Sequence, residues 1–283
     1  MEYNTTEEER DLNHLPFPKP IPVEHFNDPA VINRSPDDEL PSCGGHGTLE
    51  ILQVAKLLDG AGITCCLVGI SALIYYGAGR VRRDWEVCVP TEQLEEASAL
   101  LGSAATYETY APRPPAPRSL LHTFPRFKVV NKALCFTLIP SEDAHIECVS
   151  PNIERSHMGL PYPILEVFAQ SLLDTNDMVA LTDLIDGMNL TEQWGLEHLN
   201  LDAENDLAWV WRKNDKIRAS VPLDFTSCLL EIPNKPINLK ESWNDVVQTK
   251  QRRIGAELAE GYWATRFCGV ASPDPRSTER DYV

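Results

Sequence analysis

Ile63-Thr-Cys-Cys-Leu-Val-Gly-Ile-Ser-Ala-Leu-Ile-Tyr-Tyr-Gly-Ala-Gly-Arg-Val-Arg-Arg-Asp-Trp-Glu-Val-Cys-Val-Pro90 is the stretch on which the fold turns. Its apolar run Thr64–Val68 reads as a buried strand that breaks at Gly69. A short apolar helical segment, Ala72–Tyr76, follows and is closed by Gly77 and Gly79. Arg80, Arg82 and Arg83 make a basic hinge, and Asp84–Val89 reads as a second strand stopped by Pro90. Strand, glycine turn, short helix, basic hinge and acid-bearing strand is an order that can hold a phosphate and a metal ion.

Working outward, Thr48–Ala61 carries apolar residues at helical spacing before Gly60 and Gly62. Thr91 reads as the cap of a second helix that ends near Gly102. Tyr107–Arg118 contains four prolines and reads as a surface loop or flap. Short strands are expected at 127–130 and 133–139. A turn at 140–143 then returns the chain as a partner strand, His145–Val149. The first half is therefore α+β, with a sheet at least partly antiparallel.

From Pro161 onward the periodicity becomes helical: 164–173, 177–186, 207–219 and about 242–266, with 194–201 either loop or helix. The expected organisation is an extended or disordered arm over 1–45, an α+β unit over 46–155, a mostly helical part over 156–270, and a polar tail over 271–283. Phe17, Phe26 and Val31 are candidates to pin the arm to the body. Trp194, Trp209, Trp211, Trp243 and Trp263 are expected in the core or along a cleft between the two parts.

Composition narrows the function classes. The 283-residue chain has 42 acidic and 25 basic residues, for a net charge of −17. Such a balance repels nucleic-acid phosphates and argues against general DNA or RNA binding. No apolar run is long enough to span a membrane, and the acidic N-terminus is unlike a secretory signal. The eight cysteines include no CxxC pair and several sit in apolar runs, which suits reduced thiols and a cytoplasmic or nuclear protein, the cytoplasm being the expected place. Neither a phosphate-binding P-loop, nor GxGxxG, nor a nucleophile elbow is present.

The chemistry concentrates on acids and glycine. Asp84 and Glu86 lie two apart on one strand, so both point to one face. Two such carboxylates repel unless a metal ion or a basic group sits between them. If the strand of Glu147 lay beside that of Asp84, three carboxylates would converge on a metal. Gly69 permits close backbone approach, and Ser71 can cap the helix whose N–H groups face an anion. The plainer readings are a solvent-facing Asp-x-Glu and arginines that form a solvated hinge paired with surplus acid.

Gly69-Ile-Ser-Ala72, Gly77, Arg80, Asp84-Trp-Glu86 and the later Glu147 resemble the nucleotidyltransferase superfamily of the DNA polymerase β type, in its antibiotic-modifying and toxin–antitoxin branches. The likeness covers roughly residues 48–150, and the whole chain is also similar to a group of fungal proteins. The resemblance implies magnesium-dependent transfer of a nucleotidyl group from a nucleoside triphosphate to a small-molecule acceptor. Asp84, Glu86 and Glu147 would be the catalytic and metal-binding acids. Gly69, Ser71, Arg80 and Arg83 would face the triphosphate. The chain departs from the family in carrying Ile70 where a small residue is usual, Glu where the third acid is usually Asp, and Trp85 between the first two acids. The alternative is the same fold with an inactive site, serving as a binding or scaffold module. Whether the chain pairs with itself is left open.

Overall fold

The computed structural model describes residues 38–220, 231–256, 258 and 261–277. The expected arm up to residue 37, with Phe17, Phe26 and Val31, lies outside the described residues, as do 278–283.

The elements run in the order α1 (Ser42–Gly45), α2 (Thr48–Gly60), β1 (Cys66–Leu67), α3 (Gly69–Tyr75), β2 (Trp85–Val89), α4 (Leu94–Ser103), β3 (Tyr107–Thr109), β4 (Arg126–Val129), β5 (Cys135–Pro140) and α5 (Ser141–Ala144). They continue as β6 (Ile153–Arg155), β7 (Pro161–Pro163), α6 (Leu165–Asp174), α7 (Met178–Met188), α8 (Glu192–His198), α9 (Leu207–Ser220) and α10 (Leu239–Gln248). The fold is α+β, a five-stranded mixed sheet followed by a mostly helical C-terminal part.

The sheet order is β1-β2-β5-β4-β3, with β2 and β5 parallel and the other pairs antiparallel. All six residues of β5 are buried, which is why Cys135–Pro140 reads as an unbroken apolar run rather than an alternating one. Helix α2 buries Ile51, Val54, Ala55 and Leu58, the stripe its spacing demands. Asp177, Thr191 and Asn238 cap α7, α8 and α10 by accepting from backbone N–H groups three residues on. A continuous apolar cluster runs from Ile51 of α2 through the sheet to Val247 of α10.

Several expectations are corrected. Residues 145–149 form no strand: α5 adds a helical turn, His145 takes a left-handed φ of 53°, and the chain leaves the sheet. The partners of β5 are instead β2 and β4. Thr91 does not cap its helix; its hydroxyl accepts from the Glu142 N–H at 2.9 Å. The proline-rich loop begins with a strand, β3, because Tyr107–Thr109 pairs with β4 before the first proline. The last helix stops at Gln248, with a 3-10 turn at Lys250–Arg253. Part of the polar tail packs: Pro275 is buried against Gly77, and Arg276 lies 3.4 Å from Glu154.

Candidate functional site

A cleft of about 480 Å³ opens where the sheet meets the helical part. Its wall is built by Gly69 at the start of α3, Glu86 of β2, Asp143 of α5, Phe168 of α6, Met178 of α7, and Trp209 with Lys213 of α9. Apolar and ionisable groups alternate along it, which suits a small molecule with both kinds of surface.

Gly69 is required for two reasons. It has φ +58°, and a Cβ there would collide with the Glu86 carboxylate. The group that approaches the glycine turn from within the chain is thus a carboxylate of β2. Burial lifts the Glu86 carboxyl to about 7, with Arg113 opposing and Asp84 and Asp143 adding to the rise. Near neutrality the residue is poised between acid and carboxylate. Across the cleft, Lys213 Nζ lies 3.1 Å from Asp143.

Asp84 is buried and held by two guanidinium groups. Arg126 of β4 donates from Nε to Oδ2 at 2.7 Å and from Nη2 to Oδ1 at 3.1 Å. Arg113, from the proline-rich loop, donates from Nε to Oδ2 at 2.8 Å, and its Nη1 lies 3.9 Å from Glu86. The repulsion expected between Asp84 and Glu86 is therefore relieved by basic side chains, in a two-pronged arginine–carboxylate contact. Register explains the geometry: Glu86 sits opposite Thr137 of β5, and Thr137 opposite Arg126, so these positions share a face.

The remaining expected residues scatter. Glu147 is exposed and off the sheet, because the chain turns away at His145. Ser71 is buried inside α3, its hydroxyl without a hydrogen-bond partner, and is not part of the cleft wall. Arg80 pairs with Asp183 of α7 at 2.5 Å, and Arg83 is exposed outside the cleft. Ile70 packs against the core and does not line the cleft. Of the seven expected residues, Gly69 and Glu86 come together in the cleft, with Asp84 two residues along β2.

Sequence reasoning missed Arg113, Arg126, Asp143 and Lys213. Arg126 carried a usable signal, as a charged residue at the start of an apolar strand. Asp143 and Lys213 are 70 residues apart and meet only because α9 folds over α5. That docking is built from Trp209 Nε1, which donates to the Glu142 carbonyl at 2.6 Å, and Lys216, which lies 2.8 Å from the Glu142 carboxylate. Of the tryptophans, Trp209 lines the cleft, Trp243 is core, and Trp211 is exposed.

No protein-family model matches the sequence, and no curated protein is similar to it in sequence. Solved structures with partial overlap include ANT(2")-Ia in complex with adenylyl-2"-tobramycin, at 12% identity, covering 49% of this chain and 87% of that one, with a TM-score of 0.31. JHP933 from Helicobacter pylori overlaps at 14% identity, covering 72% of this chain and 90% of that one, also with a TM-score of 0.31. At that TM-score the site is read from its own residues.

Proposed function

We propose that this chain binds a small molecule in the cleft between sheet and helical part, on a nucleotidyltransferase-like architecture that does not carry out metal-dependent transfer. The architecture rests on the order of strand, glycine turn, short helix and acid-bearing strand. The observation that carries the reading is the capture of Asp84 by Arg126 and Arg113. Magnesium requires carboxylate oxygens free to enter a near-octahedral shell. Here both oxygens of Asp84 are taken by cations, Glu86 is half-protonated near pH 7, and Glu147 is exposed and not on a strand. That donor set does not fit magnesium.

The reading is tested by incubating the full chain with magnesium and labelled nucleoside triphosphates over a panel of hydroxyl- and amine-bearing acceptors. No transfer is expected. Thermal-shift screening of small molecules is expected to yield stabilising ligands whose effect is lost in Trp209→Ala, since a ligand that binds only the native state raises its melting temperature. Magnesium-dependent transfer abolished by Asp84→Ala would overturn the reading.

One observation favours a second reading, a magnesium-dependent transferase using a nucleoside triphosphate: Gly69 and Glu86 share the cleft wall. It requires Arg113 and Arg126 to release Asp84. The same assay, repeated with Arg126→Ala, separates the two, because transfer gained or enhanced in that variant supports the second.

A further inference from the structure

Three cysteines from separate segments converge in the core, and none lines the cleft. Cys66 of β1 and Cys88 of β2 are register partners across an antiparallel pair, so their side chains share a face. Cys148 comes in from the segment after α5. Its Sγ lies 3.9 Å from that of Cys66 and 3.3 Å from that of Cys88, and all three sulfurs lie within 4.8 Å of one another.

Filling space with small apolar side chains explains burial, but it does not require three sulfurs to meet at one point. Metal–sulfur bonds of about 2.3 Å place the edges of a three-sulfur triangle at roughly 3.8–4.0 Å. The Cys66–Cys148 separation of 3.9 Å lies at that value, and the Cys88–Cys148 separation of 3.3 Å is shorter. All three cysteines are free thiols. Cys66 and Cys88 are fully buried and Cys148 is 7% exposed, with Glu147 and Val149 on either side of it at the surface. A route from solvent therefore passes over Cys148.

We infer that Cys66, Cys88 and Cys148 form a three-sulfur site for a thiophilic cation, Cu(I) or Zn(II). Sulfur donors select these ions over magnesium or calcium. Binding exchanges the thiol protons for metal–sulfur bonds and releases those protons to solvent; neither sulfur nor metal changes oxidation state. The bound ion fastens the segment around Cys148 to the β1–β2 pair. This site stands apart from the small-molecule cleft, and neither reading depends on the other.

The test uses the full reduced chain, titrated anaerobically with Cu(I) and separately with Zn(II) against a chromophoric chelator. One tightly held ion per chain is expected from at least one titration, with a thiolate-to-metal charge-transfer band in the ultraviolet and a raised melting temperature. Cys148→Ser is expected to weaken binding by more than about tenfold and to diminish the band, given that even supporting groups of metal sites cost that much. Cys65→Ser, a buried neighbour outside the triangle, is expected to keep both. Should Cys148→Ser fail to fold, alkylation of the wild-type chain gives the answer: metal protects Cys148 from the reagent, and chelator removes the protection. The inference is overturned if neither ion is retained, if Cys148→Ser binds as the wild type does, or if a disulfide joins any of the three in protein prepared without oxidant.

Discussion

Asp84 and Glu86 are two residues apart in the chain, yet their surroundings differ. Asp84 has two guanidinium partners, whereas Glu86 lies against the glycine turn with Arg113 Nη1 3.9 Å away. Replacing Asp84 by Asn leaves the partly buried Arg126 without a counter-charge and Arg113 with Glu86 alone. The expected cost is about 3 kcal/mol, measured by urea denaturation. Glu86 titrates near 7 in the native state, against a reference of 4.5. A raised carboxyl binds its proton more tightly when folded, so the native state is favoured below the reference pKa and penalised increasingly up to the native one. Glu86→Gln is therefore expected to be near neutral at about pH 4 and stabilising by up to roughly 3 kcal/mol at about pH 8. A stability difference that does not grow with pH would refute the assignment. Gly69→Ala is expected to cost more than about 2 kcal/mol, from left-handed backbone and collision together, and Glu86→Ala in the same chain to recover the collision part.

Helix α9 is the element that closes the cleft, and it does so with a small core of its own. Trp209, Val210 and Ile232 form an apolar cluster separate from the main one. Its other ties to α5 are polar: Trp209 with the Glu142 carbonyl, and Lys213 and Lys216 with the adjacent acids. Trp209→Ala is expected to speed hydrogen exchange over 207–220 while leaving β2 and β5 protected, because local and global opening are distinct here. Uniform acceleration across the sheet would contradict that separation. Arg80 follows the plainer reading, an arginine paired with acid. Arg80, Arg253 and Arg266 surround the buried Asp183 and Asp186 of α7, with Arg253 and Arg266 each 2.7 Å from Asp186. Asp186→Asn is expected to destabilise by about 3 kcal/mol, since it leaves the half-buried Arg253 without its carboxylate partner and Arg266 with Asp183 alone.

The apolar cluster that joins the sheet to the helical part predicts how the molecule unfolds. It takes in residues from α2 through the sheet to α10, with the α9 cluster apart from it. Calorimetry is expected to show one cooperative transition, with equal calorimetric and van't Hoff enthalpies. Two resolved transitions would mean that the halves are stable separately. Among the described residues no helix is long and apolar enough to cross a membrane.

Periodicity and glycine punctuation determined most of the elements. The amphipathic helix 48–60, the strand–turn–helix–strand order of 63–90, the buried strand β5 and the paired helices α6 and α7 are local patterns, readable because side-chain direction follows from backbone repeat. Overlong readings failed where a local signal ended without a breaker, as after Gln248. The site was legible only in part. That Gly69 and Glu86 face each other follows from neighbouring elements. Which charges meet across the fold does not. Arg126 reaches Asp84 because β4 and β2 flank β5, Arg113 because the proline-rich loop folds back, and Cys148 reaches Cys66 and Cys88 because His145 turns the chain out of the sheet. Those contacts depend on strand order and on a single left-handed residue, and neither leaves a periodic trace in the chain. The sequence alone could state that two like charges on one face need a counter-ion; tertiary packing decided that arginine supplies it.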